Sequence, residues 1–97
     1  MLVARRLVVK GRVQGVGFRM FVQDVANAEG LHGWVANRPD EAVEVLAEGD
    51  REAVDRLERR VRSGPPGARV ASVERSDQPP SGRATGFVVE RWPVTMR

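Results

Sequence analysis

The sequence predicts an α+β sandwich in which two helices cover one face of a mainly antiparallel sheet. Three observations support it: a strand pattern that becomes helical near Gly17, a polar turn between two strand patterns, and a second amphipathic helix before a Gly/Pro-rich segment. The resulting order is βαββαβ plus a short terminal strand, which is the order of the ferredoxin-like fold. Many unrelated enzymes and binding modules share this fold, so it does not identify a function.

The first strand and the first helix follow from a change of apolar period. Over residues 5–12, apolar or small side chains alternate with Arg6, Lys10 and Arg12, which predicts a half-buried strand. After this strand, apolar residues recur three or four positions apart, on one face of a helix that Gly30 is expected to end. The apolar positions of this helix are Phe18, Phe21, Val22, Val25 and Ala26.

The middle of the chain predicts a hairpin. Residues 31–37 and 42–48 have strand patterns, and the polar residues 38–41 form a tight connection between them. Glu44 and Glu48 on the second of these strands are expected to face solvent.

A second helix and two strands complete the order of elements. Asp50 is the predicted N-cap of a helix that stops within residues 63–67, and its apolar positions are Val54, Leu57 and Val61. Acidic residues precede basic ones by four positions on its other face, which predicts a solvated surface. These pairs are Glu52 with Arg56, Asp55 with Arg59, and Glu58 with Arg62. Residues 68–75 predict a fourth strand, 76–86 a polar loop, and 87–92 a short fifth strand.

Length and composition indicate one soluble domain over residues 1–97, with its core at about residues 4–92. No apolar segment near the N-terminus is long enough for a signal peptide or a spanning helix, so we expect a cytoplasmic protein without a membrane partner. The chain has no cysteine, which excludes disulfides, thiolate nucleophiles and cysteine-ligated metals. Its net charge of only +3 is a weak argument for nucleic-acid binding.

The segment from Gly11 to Arg19 contains three glycines where the first strand turns into the first helix. Glycine permits positive φ angles, so the backbone N–H groups of this loop can converge on an anion at the helix N-terminus. Arg19 in the first turn can add charge-assisted donors to phosphate oxygens. A nucleotide is not implied, because no Gly-Lys-Ser/Thr follows and Met20 stands where a dinucleotide fingerprint needs its third glycine. From the residues alone, an anion site and a simple sharp turn both remain open.

This segment resembles the signature of the acylphosphatase family. The family pattern Gly-x-Val-Gln-Gly-Val-x-Phe-Arg is matched completely by residues 11–19, and its pattern Gly-x-Val-x-Asn is matched by Gly33-Trp34-Val35-Ala36-Asn37. The similarity extends over roughly residues 4–92. One departure lies in the hairpin turn, where the family usually has Asp-Gly and this chain has Asp40-Glu41. Without that glycine, a turn that needs positive φ is harder to form.

The resemblance implies a metal-independent hydrolase that cleaves the carboxyl–phosphate bond of small acyl phosphates. It assigns phosphate binding to Arg19, and the orientation of the attacking water to Asn37. The loop amides that complete the phosphate site are those of Gln14, Gly15, Val16, Gly17 and Phe18. No metal or other cofactor is implied.

The residue inventory is compatible with that chemistry. The sequence shows no His and carboxylate cluster at metal-ligand spacing, and no serine has a recognisable base partner. His32 is expected to point away from Asn37, because the two positions fall on opposite faces of an extended strand. A carboxylate whose conjugate acid has a pKa of roughly 4 leaves without a proton donor, so positioning and charge stabilisation can supply most of the catalysis.

Two alternatives remain. One is a non-catalytic anion- or RNA-binding module, for which Trp34, Phe87 and Trp92 would supply an aromatic surface. The RNA-binding signature of ferredoxin-like sheets is absent, so we expect these aromatics to pack and we expect no nucleic-acid partner. The other is a domain of a larger carbamoyl-phosphate-handling assembly, because acylphosphatase-like domains also occur at the start of larger maturation enzymes. The prediction is a free-standing monomer that acts on a small acyl phosphate.

Overall fold

The computed structural model describes residues 1–95, so the last two positions of the predicted 1–97 domain lie outside the described residues. The described part contains five strands and two helices in the predicted order, which confirms the fold class. The elements are β1 (Leu2–Arg12), α1 (Phe18–Ala28), β2 (His32–Asn37), β3 (Val43–Asp50), α2 (Arg51–Ser63), β4 (Arg69–Gln78) and β5 (Phe87–Glu90). No helix within residues 1–95 is long and apolar enough to cross a membrane.

The strands form one mixed sheet in the order β4-β1-β3-β2-β5. β1 pairs antiparallel with β3 and β4, and β2 pairs antiparallel with β3, whereas β5 runs parallel to β2. The mainly antiparallel sheet is thus confirmed. Because β2 and β5 are parallel, their C-terminal ends lie at the same edge of the sheet. This arrangement brings the residues after β5 next to Asn37.

The core lies between the sheet and the two helices. Alternate positions on the strands face the helices and are almost completely buried, as their period of two requires. The largest buried side chains are Leu7, Val9, Val35, Val43 and Val45 from the strands, and Phe18, Val22, Val54, Leu57 and Val61 from the helices. These include the predicted apolar positions of α2, and the side chain of Asp50 caps that helix by accepting from the Glu52 amide at 3.3 Å.

Three element boundaries differ from the prediction. β1 begins at Leu2, because Leu2 pairs with Asp50 of β3. β4 continues to Gln78, through residues expected to form a loop, because Gln78 pairs with Ala4 of β1. β4 is an exposed edge strand, so its polar residues hide the alternation that marks a half-buried strand. β5 is shorter than expected and ends at Glu90.

The predicted solvent exposure of three acidic side chains is wrong: Glu44, Glu48 and Glu58 are all buried. Glu58 faces the sheet, where its carboxylate accepts a hydrogen bond from the buried Arg5 of β1 at 3.0 Å. Among residues 1–95, only Glu58 with Arg62 forms one of the three predicted helical pairs as a salt bridge. The charged side of α2 is therefore partly an interface with the sheet.

Candidate active site

The connection from β1 to α1 has the backbone conformation expected of an anion-binding loop. Gly15 and Gly17 have φ angles of 75° and 77°, in the left-handed region that favours glycine. Gly17 is the N-cap of α1, and no side chain makes a capping hydrogen bond there. The first amides of α1 are thus not occupied by a cap, and both glycines are exposed.

Buried side chains hold this loop on both sides. Val13 before the glycines and Phe18 after them are each 1% exposed, and Val16 between them packs against the core. The Gln14 side chain donates hydrogen bonds to the Arg38 and Ala42 carbonyl oxygens, both at 2.9 Å. Gln14 therefore ties the loop to the hairpin turn that follows Asn37. Only the backbone amide of Gln14 was assigned a role from the sequence, so this link is new.

Arg19 and Asn37 line the same pocket. Arg19 lies in the first turn of α1, Asn37 is the last residue of β2, and both are partly exposed. The pocket has a volume of about 370 Å³. We call it the Arg19 pocket, and its lining consists of Arg19, Asn37, Arg38, Pro39, Glu90, Arg91 and Trp92. The two side chains singled out in the sequence are thus brought together.

The side-chain oxygen of Asn37 accepts no hydrogen bond from any other residue among 1–95. This Oδ1 atom is buried. Buried polar atoms are usually paired, and an unpaired one costs about 1–3 kcal/mol. A position that keeps such an atom beside an arginine-lined pocket is a good candidate for a functional amide.

Gly33, the first residue of the second family pattern, has a steric reason to be glycine. A Cβ atom at this position would overlap the Leu46 backbone carbonyl of the neighbouring strand. Close approach of β2 to β3 therefore needs glycine there, and the resulting register sets Asn37 opposite Val43 at the end of the strand.

Five of the seven residues that line the Arg19 pocket were not assigned to this site from the sequence, and two of them, Arg38 and Trp92, contact each other. The Arg38 guanidinium lies over the Trp92 ring, 5.2 Å from its centroid, and donates to Glu44 Oε1 at 2.9 Å. The buried Glu44 also accepts from Arg6, at 2.6 and 3.1 Å. Trp92 was expected to pack, but it is 37% exposed and lines the pocket. No signal in the sequence indicates this, because it depends on the parallel pairing of β5 with β2.

The hairpin turn accommodates the departure from the family pattern by placing Glu41 in the left-handed region, with φ of 71°. Arg38 and Ala42 close the turn through a backbone hydrogen bond of 2.8 Å. The Asp40 carboxylate accepts from the Ala42 amide at 3.2 Å and from the Arg38 guanidinium at 3.0 and 3.2 Å. The hydrogen bond from the Ala42 amide, together with Arg38, lowers the pKa of Asp40.

The charges around the pocket favour an anionic ligand. Arg19, Arg38 and Arg91 line it against one acidic residue, Glu90. Within residues 1–95, no three His, Cys, Asp or Glu side chains are grouped so that they could hold a metal ion. His32 does not line this pocket, as predicted; its Nδ1 accepts from the Gly86 amide at 2.9 Å.

Comparison with known proteins relates the chain to one family. The family model described as Acylphosphatase matches residues 5–89. The chain is 50% identical over 84 residues to an acylphosphatase of Rubrobacter xylanophilus, covering 87% of this chain and 76% of that one. It is 40% identical to the crystal structure of the Bacillus subtilis acylphosphatase, with a TM-score of 0.87 over 93% of this chain and 99% of that chain. It is also similar to full-length HypF in a phosphate- and nucleotide-bound form, with 25% identity and a TM-score of 0.85, over 94% of this chain but only 12% of that one.

Proposed function

Because the chain belongs to the acylphosphatase family, we propose that Arg19, Asn37 and the Gly15–Gly17 loop together hydrolyse the carboxyl–phosphate bond of small acyl phosphates. The observation that supports this most directly is the common pocket of Arg19 and Asn37, which come from different elements. The products are a carboxylate and inorganic phosphate. The single domain, the monomeric state and the cytoplasmic location remain predictions from the sequence.

Arg19 and the loop amides bind the phosphoryl group in this proposal. The amides of Gln14, Gly15, Val16, Gly17 and Phe18 are the donors assigned to the phosphoryl oxygens. The glycine φ angles and the uncapped N-terminus of α1 suit this role, since both direct N–H groups toward an anion. The Arg19 guanidinium adds a fork of charged donors. Such preorganised donors stabilise the charge that spreads over the phosphoryl oxygens in the transition state.

Asn37 positions the attacking water. The water oxygen forms a bond to phosphorus while the bond from phosphorus to the acyl oxygen breaks, and the carboxylate leaves with that electron pair. Asn37 is uncharged and does not accept the proton, so the proton of the water passes to a phosphoryl oxygen of the substrate. The leaving carboxylate needs no protonation, because the pKa of its conjugate acid is roughly 4. A general acid and a metal are therefore unnecessary for this leaving group.

The test is hydrolysis of benzoyl phosphate in the presence of a chelator by the wild type and by Arg19→Ala and Asn37→Ala. We expect each substitution to lower kcat by at least about 100-fold, the usual effect of removing one such donor. The matched controls are Arg59→Ala and Asn27→Ala, two exposed helical positions outside the Arg19 pocket. Full activity of both site variants, or a loss of wild-type activity on chelation, would contradict the proposal.

Phosphate binding without turnover would instead support the non-catalytic module. Phosphate release from benzoyl phosphate separates the two, because only an enzyme shows it. Isothermal titration with inorganic phosphate tests the anion site itself, since Arg19→Ala should abolish phosphate binding in either case. Salt-sensitive RNA binding by the wild type without hydrolysis would favour the RNA-binding alternative.

A further inference from the structure

A second and larger concave site lies on the face of the sheet that carries no helix, which we call the open face. This site, the open-face cleft, has a volume of about 660 Å³, within the range of small-molecule sites. Trp34, Leu46 and Val88 from three neighbouring strands form its apolar floor. Its walls come from the loop before β5 and from the segment after it, and consist of Ser81, Arg83 and Thr85 on one side and of Arg91, Pro93, Val94 and Thr95 on the other.

One wall of the cleft is fixed by hydrogen bonds to the sheet. The buried Glu48 carboxylate of β3 accepts from the amides of Ser81 and Gly82, both at 2.7 Å. His32 of β2 accepts from the Gly86 amide at the other end of the same loop. This loop was expected to be a polar connection, and Glu48 a solvated charge. Instead they hold a preformed wall over the open face.

The cleft and the Arg19 pocket adjoin each other. Glu90 and Arg91 line both, because β5 ends beside the C-terminal end of β2, where Asn37 lies. Trp34 on the cleft floor precedes Asn37 by three positions on the same strand, roughly 10 Å along it, and an odd separation places the two side chains on opposite faces of the sheet. A ligand whose phosphate lies at Arg19 therefore reaches the cleft floor by passing over the C-terminal end of β5, where Glu90 and Arg91 line both cavities.

The two cavities differ in polarity in the same way as the charged phosphate end and the apolar acyl end of such a ligand. Arginines dominate the lining of the Arg19 pocket, whereas the cleft floor is apolar. Val88 on this floor is 41% exposed, so the apolar surface is accessible.

We propose that the open-face cleft binds the acyl group of the substrate, and that the enzyme prefers acyl phosphates with an extended, mainly apolar acyl chain. This inference rests on the proposed function, because it takes the phosphate at Arg19 as its fixed point. It adds a substrate class and a set of specificity residues, of which Val88 is the most accessible.

The test is a chain-length series of acetyl, butanoyl and octanoyl phosphate. Burial of a methylene group favours binding by about fourfold at most, so even partial burial predicts a kcat/KM at least about tenfold higher for octanoyl than for acetyl phosphate. Val88→Ser should reduce the octanoyl value by about threefold, and Val88→Trp, which fills the cleft, by at least about tenfold. Both should affect acetyl phosphate hydrolysis much less than octanoyl phosphate hydrolysis, because the acetyl group has a single methyl group to bury. The matched control is Leu2→Ser, an exposed apolar position that is not part of the cleft.

The outcomes separate this inference from the proposed function. Hydrolysis that requires Arg19 but does not depend on chain length overturns the acyl-group site alone. Equal effects of the Val88 variants on acetyl and octanoyl phosphate also overturn it. Absence of hydrolysis of all three substrates overturns the proposed function and this inference with it. Competitive inhibition of acetyl phosphate hydrolysis by octanoate, weakened in Val88→Trp and unchanged in Leu2→Ser, supports the site by a readout that does not require turnover of the long substrate.

Discussion

Replacing Glu41 by glycine should stabilise the protein, because Glu41 has a φ of 71° in a turn where relatives of this family usually have glycine. A residue with a Cβ atom in the left-handed region costs about 1–2 kcal/mol. Glycine avoids that cost but loses more entropy on folding, by roughly 0.5–1 kcal/mol. The expected net gain in the free energy of unfolding is about 0.5–1 kcal/mol. For a domain of this size, that corresponds to a rise in Tm of roughly 2–8 °C.

The structure also shows why no other contribution should obscure this effect. Glu41 is exposed, and only its backbone amide, which donates to the Arg38 carbonyl oxygen at 3.2 Å, has a hydrogen bond in the turn. Glycine retains that amide. The turn conformation, and with it the positions of Asn37 and Arg38, should be preserved, so kcat/KM for benzoyl phosphate should not change.

Urea unfolding of the wild type, Glu41→Gly and Glu41→Ala distinguishes the backbone effect from loss of the charge. Alanine removes the carboxylate but keeps the Cβ atom, so it should not reproduce the gain. The reasoning is refuted if Glu41→Ala stabilises as much as Glu41→Gly, or if Glu41→Gly has a lower free energy of unfolding than the wild type at an unchanged m-value.

Three further predictions concern the supports of the site and the sheet. Gln14→Ala, which unties the loop from the hairpin turn, should lower kcat/KM for benzoyl phosphate by at least about tenfold, an effect of misplacement that steady-state kinetics would show. Glu58→Gln should cost about 1–2 kcal/mol in urea unfolding, because the buried Arg5 keeps its hydrogen bond to Asp55 at 2.7 Å but loses the charge of its second partner; the exposed Glu74→Gln is its control, and equal effects would contradict this. The hydrogen bond from Arg5 lowers the pKa of Asp55. Burial acts to raise the pKa of Glu48, but the hydrogen bonds from the Ser81 and Gly82 amides outweigh it, so this pKa is lowered as well. Their stabilisation is therefore present above the ordinary pKa values of 3.8 and 4.5 and is lost as the pH falls below them, so thermal unfolding from pH 7 to pH 3 should show Tm decreasing only at the acid end.

The order of elements was predictable because it depends on local periods. The residues that define the apolar face of α1, and those that begin and end α2, are only a few positions apart in the sequence, and the structure has both features as predicted. Burial of Glu44, Glu48 and Glu58 was not predictable in the same way. Each is buried because its partners come from distant parts of the chain, such as Arg6 for Glu44, and no local period reports such a pairing.

The candidate site also contains residues that local sequence patterns predict and residues that depend on long-range pairing. Arg19 and Asn37 were identified through motifs, and the structure places both on one pocket. Trp92 and Arg38 were missed, because their position depends on how β5 pairs with β2 and on the side-chain contact between them. The motifs contain the groups to which we assign phosphate and water binding, whereas the proposed surroundings of the acyl group come from the pairing of strands far apart in sequence.

That division has a chemical reason. An acyl phosphate is already activated, so the enzyme needs few groups for the reaction itself, and these fit into two short segments. Discrimination between acyl groups needs apolar surface instead, and burial of a methylene contributes only modestly, so the surface must be extended. The open face of the sheet supplies Trp34, Leu46 and Val88 beside the Arg19 pocket. If the acyl chain binds there, the chain-length dependence of kcat/KM should be altered by changes on the open face, while the acetyl phosphate rate should depend on Arg19, Asn37 and the Gly15–Gly17 loop.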